Sequence, residues 1–355
     1  MHTKSADSNA RQELQTLRAI DAAANRAREG LRTVEDYLRF ALDDRHLTER
    51  CKQLRHELTT ALKPIASRQR MAARETRADV GTTLNTASER HRRDATDVLR
   101  VNFNRLQEAL RSLEEFGKLV SLDMAAQLKQ LRYRAYTLHR AAEITCDSIL
   151  RLESASLYVL VDGGSSREQF QHRVGQLIEA GVHVIQLRDK RLDDRELLGR
   201  ARLLRELTTP SDTLFVMNDR ADLAALSKAD GVHVGQGEVT VKDARTIVGP
   251  RALVGVSTHS IDQARQAVID GANYIGVGPT FPSDTKQFAD YPGVGLLEAV
   301  SAEIRLPAFA VGGIALENLS QVLAAGFGRI AVSGAISTAT DPAAKAREFL
   351  DMLRK

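Results

Sequence analysis

Tryptophan is absent from this sequence of 355 residues, cysteine occurs only twice, and no long apolar run is present. Cys51 and Cys146 are too few for a disulfide framework or a zinc site. No apolar stretch approaches the roughly 20 residues that cross a bilayer, and the N-terminal segment lacks the apolar core of a secretory signal. With 43% hydrophobic and 27% charged residues, the composition also excludes wholesale disorder. We therefore expect a cytoplasmic globular protein of about two domains, with no membrane partner.

Glycine and proline are scarce in the first part of the chain only. Residues 1–150 contain one proline and three glycines, although the whole chain has 8 prolines and 23 glycines. Apolar residues recur there at three- and four-residue steps, as in Leu31, Val34 and Leu38. Few helix breakers and this spacing predict an all-helical domain over residues 1–150 and a second domain over residues 151–355.

The first part of the chain is also basic. The net charge of the whole chain is +4, but residues 1–150 carry 27 Lys and Arg against 21 Asp and Glu, and 22 of the 27 are Arg. These charges alternate along helical patterns without a run of five like charges, which favours ion-paired helix surfaces over nucleic-acid binding. Because Arg suits bidentate contacts to carboxylate or phosphate, an acidic small-molecule ligand stays open.

The helical part contains an internal repeat. The segment 25–37 recurs at 104–116 with the shared pattern NRxxExLRxxE, followed by an acid and an aromatic residue. Helical spacing places four polar residues of each copy on one face. These are Asn25, Glu29, Arg32 and Asp36 in the first copy, and Asn104, Glu108, Arg111 and Glu115 in the second. The stripe is either a pair of surface ion-pair ladders or the lining of a polar pocket that binds a charged ligand.

From residue 157 onward, short apolar runs alternate with amphipathic stretches, which predicts parallel βα units. The candidate strands cover residues 157–162, 183–189, 214–219, 231–235, 253–258, 274–279, 307–313 and 329–335. Eight such units predict an α/β fold, a (β/α)8 TIM barrel that follows the all-α N-terminal domain. A doubly wound sheet also alternates strands with helices, but it usually has fewer strands and a glycine-rich first turn, which LVDGGSS matches poorly.

Nearly every candidate strand ends in polar residues or glycine, and the C-terminal strand ends of such barrels form one active-site rim. Gly312-Gly313 and Ser333-Gly334 follow the last two strands, where backbone N–H groups often bind phosphate. This predicts a phosphate site, whereas the alternative for these glycines is a purely conformational role in tight turns.

The second strand ends in an alternating segment in which Gln186, Arg188 and Lys190 point to one side. Two cations and an amide there suit a polyanion. Asp219 and Glu238 end the neighbouring third and fourth strands, where they either hold Mg²⁺ on a diphosphate or act as acid and base. His233 lies within a strand and is interpreted as a packed barrel residue, while the role of His259 stays open.

The segments QLRDK, FVMNDRADLAALSKADGVHVGQ, GVSTHS, GPTFPSDTK, VGGI and VSGAI, in this order, resemble the thiamine-phosphate synthase family over residues 155–353. The resemblance implies a transferase that joins a pyrimidine diphosphate to thiazole phosphate, or to its carboxylated form, and releases pyrophosphate. The reaction passes through a stabilised pyrimidine carbocation and needs no covalent nucleophile. The nearest rival in the same fold is a thiazole tautomerase, which would not need the diphosphate and metal groups, and a ligand-sensing scaffold is the rival from another class.

The resemblance also implies roles for individual residues. The pyrimidine diphosphate would contact Gln186, Leu187, Arg188, Asp189, Lys190, Asn218, Ser257 and Lys286. The thiazole phosphate would contact Ser283, Asp284, Thr285, Gly313, Val332 and Ser333. The catalytic cations would be Lys286, Arg188 and Lys190, and Mg²⁺ would bind Asp219 and Glu238, although the family usually has Asp at the second metal position. Phosphorylated small molecules are the expected partners, and a homo-oligomer is compatible with the sequence.

The helical part resembles an N-terminal domain that is fused to some members of this family and linked to hydroxymethylpyrimidine-phosphate kinase activity. It contains no P-loop or kinase glycine-rich loop. Ala78–Thr83, with one glycine and two hydroxyls, is the local candidate for phosphate contact. The alternative is a structural or oligomerising helical domain.

Overall fold

The chain divides into two compact units, Met1–Glu143 and Ile144–Lys355. The structure is a computed structural model, and it describes residues 2–75, 91–282 and 291–354. The first unit is all-helical, as predicted. Its helices are α1 (His2–Phe40), α2 (Arg45–Ala61), α3 (Ser67–Ala73), α4 (Ala95–Gly117) and α5 (Leu122–Arg151). The division between the units falls within α5, and the change in composition follows the end of that helix.

The internal repeat corresponds to two helical hairpins, α1 with α2 and α4 with α5. Each second helix begins at a polar cap: Asp44 Oδ1 accepts from the N–H of Leu47 (2.7 Å), and Ser121 Oγ accepts from the N–H of Met124 (3.3 Å). Such caps satisfy N–H groups that have no partner within the helix. The repeat therefore extends beyond its sequence motif to the turn and the next helix.

The first helices of the two hairpins pack directly against each other. A Cβ atom at Gly30 of α1 would lie 3.1 Å from the carbonyl oxygen of Asn102 and 3.3 Å from Cβ of Leu106, both in α4. Glycine therefore permits the close approach of the two helices. Leu31, Val34 and Leu38 are buried, as their spacing predicted.

The polar stripe of the repeat faces solvent. Glu29, Arg32 and Asp36 are exposed in the first copy, and all four stripe residues are exposed in the second. Arg111 Nη2 lies 2.7 Å from Glu115 Oε1, one helical turn further on. These positions fit the ion-pair ladder rather than the pocket.

A different acidic residue of the repeat is buried. Glu35 in α1 and Glu114 in α4 occupy equivalent positions, and each is only 4% exposed. Arg55 Nε in α2 lies 3.0 Å from Glu35, and Arg132 Nε in α5 lies 2.9 Å from Glu114. Each hairpin thus joins its two helices through one buried glutamate and one arginine of the next helix.

The second unit is a closed barrel of eight parallel strands, in the order of the chain. The strands are β1 (Leu157–Val161), β2 (Val184–Leu187), β3 (Leu214–Asn218), β4 (Gly231–Val234), β5 (Leu253–Thr258), β6 (Tyr274–Val277), β7 (Ala308–Val311) and β8 (Ile330–Val332). Every predicted strand is present. The predicted end of β5 is exact, and the other seven run one to three residues too far because the chain turns into the loops there.

Helices follow the strands of the barrel. They are α6 (Arg167–Glu179), α7 (Asp194–Thr208), α8 (Ala221–Ser227), α9 (Val241–Val248), α10 (Ile261–Asp270), α11 (Gly293–Glu303), α12 (Leu319–Ala324), α13 (Gly334–Ser337) and α14 (Pro342–Leu353). Several begin at Ser, Thr or Asp caps, for example Ser166, whose side chain accepts from the N–H of Gln169. None of the described helices is long and apolar enough to cross a membrane.

The interior of the barrel is filled by alternate residues of the strands, as expected for this fold. One buried cluster contains Tyr158, Val184, Val216, Leu253, Tyr274, Phe309 and Ala331, with Leu152 and Ala155 from the segment that precedes β1. The three aromatic rings meet edge to face or tilted, with centroids 5.2 to 6.0 Å apart. This apolar layer forms the floor below the polar C-terminal strand ends.

Candidate active site

The C-terminal ends of β1, β2 and β8 enclose a cavity of about 290 Å³. Arg188 and Lys190 line it from the end of β2, Asp162 from the end of β1, and Ser333 from the end of β8. The sequence assigned the two cations to a diphosphate and Ser333 to a second phosphate. The closure of the barrel brings both groups to one cavity.

Gln186 and Leu187 lie on opposite sides of β2, whereas Arg188, Asp189 and Lys190 after the strand all line the cavity. Gln186 is 3% exposed and its Nε2 donates to the hydroxyl of Tyr158 inside the barrel (2.7 Å). Leu187 is fully buried on the opposite side of the strand, so only its backbone is available to a ligand in the mouth. Arg188 continues the sheet, because its N–H donates to the carbonyl of Val161 (2.8 Å).

Asp189 shapes the loops around the cavity. Its carboxylate accepts from the N–H groups of Gly163 (3.0 Å) and Arg191 (2.7 Å). Burial alone would raise the pKa of Asp189, but the hydrogen bonds from Arg191, Gly163 and Leu192 outweigh burial and lower it. These bonds tie the loop after β1 to the loop after β2.

Asp219 follows β3 in the left-handed conformation, with φ of 58°. Its N–H donates to the carbonyl of His233 in β4 (2.8 Å), and its carbonyl accepts from the N–H of Ala221 (3.2 Å). Aspartate tolerates this conformation better than most residues. The neighbouring Asn218 side chain acts to lower the pKa of Asp219, and these two predicted site residues are adjacent at the end of one strand.

Glu238 lies in the loop after β4 and folds back over Gly235. A Cβ atom at Gly235 would lie 2.3 Å from Glu238 Oε2, so any other residue there would displace the carboxylate. Burial raises the pKa of Asp219, and the charge of Glu238 raises it further, whereas Lys190 and Arg188 act in the opposite direction. Asp219 therefore lies within the electrostatic influence of one other carboxylate and two cations.

The two carboxylates have the chemistry of a magnesium site completed by substrate. No group of three potential metal ligands among His, Cys, Asp and Glu occurs in the described residues. Mg²⁺ is commonly held by one or two carboxylates, while water and substrate phosphate oxygens fill its other positions. Burial and repulsion by Glu238 raise the pKa of Asp219, and a cation there would relieve the repulsion, so the residues fit the ion.

The glycines after β7 approach the loop after β6 closely. Gly312 and Gly313 have φ of 96° and 62°, and a Cβ atom at Gly313 would lie 2.5 Å from the carbonyl oxygen of Pro282. The N–H of Phe281 donates to the carbonyl of Gly312 (3.0 Å). Asn318 Nδ2 donates to the carbonyl of Gly313 (2.9 Å), which fixes the turn. Glycine is thus required here by conformation and by space, while its N–H groups stay at the barrel mouth.

The predicted residues of the loop after β6 lie outside the described residues. They are Ser283, Asp284, Thr285 and Lys286. The structure does place the start of that loop, at Thr280 and Phe281, beside Gly313 through the hydrogen bonds to β7. The candidate segment Ala78–Thr83 of the helical unit also lies outside the described residues.

At the end of β8, Val332 and Ser333 differ in environment. Val332 is 3% exposed and pairs with Val159 of β1, so its backbone, not its side chain, is near the mouth. Ser333 lines the cavity, and its carbonyl accepts from the N–H of Ser337 in α13 (2.9 Å).

His233 lies inside the barrel, as predicted, but it is hydrogen-bonded on both sides. Its Nε2 lies 2.9 Å from Ser257 Oγ, and its Nδ1 lies 3.3 Å from the Tyr274 hydroxyl. His259, whose role the sequence left open, pairs with the carbonyl of Gly278 after β6 and so joins two loops.

Tyr158 and Tyr274 contact these site residues, although neither was predicted as a site residue from the sequence. The available signal was a tyrosine within each of two otherwise aliphatic or glycine-containing strands, LYVLV and YIGV.

Two family models match the chain. One, described as thiamine monophosphate synthase, matches residues 157–336, and the other, described as the ThiD2 family, matches residues 18–141. The chain belongs to the thiamine monophosphate synthase family. It is therefore a transferase of thiamine biosynthesis, and the match to ThiD2 coincides with the helical unit.

Individual relatives agree with this membership in the thiamine monophosphate synthase family. A thiamine-phosphate synthase of Rhodopirellula baltica is 46% identical, with 90% of this chain and 88% of that protein covered. One from Gloeobacter violaceus is 42% identical, with 97% and 98% covered. Both alignments are longer than the barrel, so these relatives share the helical part.

A solved structure resembles the barrel unit. It is a thiamine phosphate pyrophosphorylase from Pyrococcus furiosus, 32% identical, with a TM-score of 0.52. The match covers 58% of this chain and 98% of that one. The resemblance to this family that the strand-end motifs suggested is thus confirmed, and so is the predicted barrel.

Proposed function

We propose that the barrel joins an aminopyrimidine methyl diphosphate to a thiazole phosphate, which gives thiamine phosphate and pyrophosphate. The observation that carries this proposal is that Arg188, Lys190 and Ser333 line one cavity, while the charges of Glu238, Lys190 and Arg188 all act on the Asp219 carboxylate. Two anionic reactants need such a site, because each anion requires its own donors while the reacting atoms must approach closely.

The leaving diphosphate binds at the end of β2 in this proposal. Arg188 and Lys190 contact its oxygens and stabilise the charge that grows as the bond from the methylene carbon to oxygen breaks. Asp219 and Glu238 hold Mg²⁺, which when bound neutralises part of the same charge. The electron pair of the broken bond stays with the diphosphate, so the protein need not supply a nucleophile.

The pyrimidine ring lies above the apolar floor of the barrel, within reach of Gln186, Asn218 and Ser257. These polar side chains project from β2, β3 and β5 near the strand ends, and Gln186 is anchored from below by Tyr158. An aminopyrimidine stabilises a positive charge on its methylene carbon. The nitrogen of the thiazole then forms the new bond to that carbon.

The thiazole phosphate binds at the ends of β7 and β8 in this proposal. Gly313 and Ser333 offer backbone N–H groups and a hydroxyl there, which suit a phosphate monoester. Ser283, Asp284, Thr285 and Lys286 stay predictions. The hydrogen bonds that hold Phe281 beside Gly312 support their assignment to this side.

Replacement of Asp219 by asparagine tests the metal role. Loss of one carboxylate should raise the magnesium concentration needed for half-maximal pyrophosphate release by roughly tenfold or more, because carboxylates are the only protein ligands proposed. Asp222→Asn is the matched control, since Asp222 lies on α8 and pairs with Arg220 (2.7 Å). An unchanged magnesium dependence in Asp219→Asn would contradict the assignment.

For the helical unit we propose phosphorylation of hydroxymethylpyrimidine phosphate, the step that supplies the diphosphate to the barrel. The support is the match to the ThiD2 family over residues 18–141, together with relatives that share this part. The terminal phosphoryl group of a nucleoside triphosphate would pass to the monophosphate, leaving the nucleoside diphosphate.

The full chain tests this second activity when the thiazole phosphate is withheld, because the barrel then cannot consume the product. Incubation with the pyrimidine monophosphate, ATP and magnesium should yield the pyrimidine diphosphate and ADP. If no diphosphate forms while the same preparation couples preformed diphosphate to thiazole phosphate, the helical unit is structural.

A further inference from the structure

A continuous path of hydrogen-bonded side chains crosses the barrel interior below the mouth. Gln186 Nε2 donates to the Tyr158 hydroxyl (2.7 Å), which lies 3.1 Å from the Tyr274 hydroxyl. The Tyr274 hydroxyl lies 3.3 Å from His233 Nδ1, and His233 Nε2 lies 2.9 Å from Ser257 Oγ. The path therefore begins and ends at two proposed pyrimidine contacts, while its three middle residues have no assigned role.

The middle of this path is deeply buried. Tyr158 and Tyr274 are each 2% exposed, and burial raises the pKa of both hydroxyls above the ordinary tyrosine value. The neighbouring Phe309 has no hydroxyl and packs edge-on against both rings. A buried hydroxyl is tolerated only when it is hydrogen-bonded, so the two tyrosines depend on the rest of the path.

The barrel wall is shaped to admit these rings. Gly255 of β5 pairs with both His233 and Tyr274 in the sheet register. A Cβ atom at Gly255 would lie 2.1 Å from the Tyr274 ring, so only glycine leaves room for that ring. Gly276 lies beside His233, but a Cβ atom there would only touch the imidazole, at 3.4 Å from Cε1.

Proton counting gives this path a direction. Because Tyr158 accepts from Gln186, its own proton has an acceptor within the path only if it goes to Tyr274. The proton of Tyr274 then goes to His233 Nδ1, which leaves the imidazole proton on Nε2, pointing at Ser257. Ser257 accepts it and can donate its hydroxyl proton to a ligand. Among the described contacts, this arrangement gives every proton of the path an acceptor.

The opposite direction requires a flipped amide. If Gln186 turned its oxygen toward Tyr158, every hydrogen bond would reverse, the imidazole proton would move to Nδ1, and Ser257 would donate inward. The path thus couples its two ends. When Gln186 Nε2 donates to Tyr158, the Gln186 oxygen is left to accept from a ligand and Ser257 is left to donate to it. When the amide is flipped, Gln186 donates to the ligand and Ser257 accepts from it.

We propose that Tyr158, Tyr274 and His233 are positioning residues. Their hydrogen bonds determine that Gln186 accepts from the ligand and that Ser257 donates to it. The inference rests on the proposed function, in which both ends contact the pyrimidine. An amino group beside a ring nitrogen offers one donor and one acceptor, which matches the observed sense. A ring with an oxo group beside an N–H offers the reverse, so the path selects the amino over the oxo heterocycle.

The first experiment measures the imidazole tautomer in the wild-type full chain. Nitrogen-15 NMR of histidine-labelled protein distinguishes the two tautomers, and the signal that His233→Gln removes identifies this residue among nine histidines. We expect the proton on Nε2. A proton on Nδ1 would overturn the inference, and no variant needs to fold for this result beyond the one used for identification.

The second experiment compares coupling of the amino substrate with that of its oxo analogue. In Tyr274→Phe and Tyr158→Phe the amide is free to turn, so the preference in kcat/KM for the amino substrate should fall by roughly tenfold or more. KM for the thiazole phosphate should not change. Phe309→Leu is the control, since it loosens the same core without removing a hydrogen bond and should keep the preference.

The outcomes separate the two proposals. If the wild-type chain couples neither substrate, the proposed function fails. If it couples the amino substrate but both tyrosine variants keep its preference over the oxo analogue, the proposed function stands and the positioning role fails.

Discussion

Buried carboxylates in the two units of this protein have opposite surroundings. In the helical unit, Glu114 lies between two arginines, with Arg132 Nε at 2.9 Å and Arg111 Nη1 at 3.1 Å. At the barrel mouth, the half-buried Asp219 has another carboxylate, Glu238, among its strongest electrostatic neighbours, and its pKa is raised. The first arrangement is complete within the protein, whereas the second would be relieved by a cation.

The arginines of the two units differ in the same way. The guanidinium of Arg132 donates to Glu114 and to the hydroxyl of Tyr136, and it lies 4.8 Å from the centre of the Tyr133 ring. The Arg188 side chain instead lines a cavity. Composition alone cannot separate these uses, and the Arg-rich helical unit is accordingly less informative about ligands than the few cations of the barrel. We therefore expect charged residues whose partners all lie within the protein to affect stability when they are substituted. Charged residues that face the cavity should affect activity instead.

The largest effect is expected at Arg188. Arg188→Ala should lower kcat/KM for coupling by roughly 10²–10³, because a donor aimed at the developing charge of the leaving group is lost. The melting temperature should stay within a few degrees, since the side chain lines a cavity rather than the core. Steady-state pyrophosphate release and circular dichroism measure the two quantities.

Arg195→Ala is the matched control for Arg188→Ala, because Arg195 is an exposed arginine in the first turn of α7. It should retain full activity. If both variants lost the same activity, the loss would come from the removal of a positive charge and not from the position of Arg188 at the barrel mouth.

Glu114→Gln should have the next largest effect, a loss of about 3 kcal/mol in the stability of the helical unit, because Arg132 keeps its charge but loses its buried partner. Hydrogen exchange measured on peptides of α4 and α5 would show this as faster exchange in both helices. Glu115→Gln serves as the control, since Glu115 is exposed and should leave exchange unchanged. Equal effects of the two substitutions would contradict the distinction between buried and surface pairs.

The fold could be predicted from the sequence nearly completely. Parallel strands of a barrel are buried on both sides, so segments such as 214–219 read as continuous apolar runs, and their ends are marked by polar residues. The same alternation placed Gln186 and Leu187 on opposite sides of β2. The strand positions and the sides of the strand residues follow from local periodicity, so they can be predicted without knowing which distant residues are in contact.

The sequence could not predict which acid of the repeat is buried. The stripe that contains Glu29 and Asp36 has perfect helical spacing, yet it faces solvent, while Glu35 is buried one position earlier. Burial of Glu35 depends on Arg55 in the next helix, and that contact is set by how the hairpin packs. The tyrosines inside the barrel were missed for the same reason, because the hydrogen bond between Tyr158 and Tyr274 joins residues 116 positions apart.

The two copies of the repeat predict a graded effect at Glu35. Glu35→Gln should destabilise the helical unit by about 1 to 2 kcal/mol, less than Glu114→Gln, because the side chain of Arg55 is 31% exposed and that of Arg132 only 10%. In addition, Arg55 Nε and Glu35 Oε2 form no aligned hydrogen bond with each other or with any other described group, although Arg32 Nη1 also lies 3.9 Å from Glu35 Oε2. Peptides of α1 and α2 report the result by hydrogen exchange. A larger loss at Glu35 than at Glu114 would contradict this ranking.

The smallest effect is a gain in stability, whereas the substitutions at Glu114 and Glu35 cause losses. It is expected for the barrel with Asp219→Asn, measured after chelation of divalent metal. Because the pKa of Asp219 in the fold is raised above its ordinary value of 3.8, the folded state holds this proton more tightly than the unfolded chain. The resulting contribution to stability is present at low pH and is lost as the pH rises through the folded pKa. Asp219→Asn cannot ionise, so at neutral pH it should unfold at a slightly higher urea concentration than the wild type, and the difference should shrink as the pH approaches 3.8. Substitution of a carboxylate that stabilises the fold, as Glu114 does, lowers stability instead. A loss of stability in Asp219→Asn would therefore contradict the contrast between the two units.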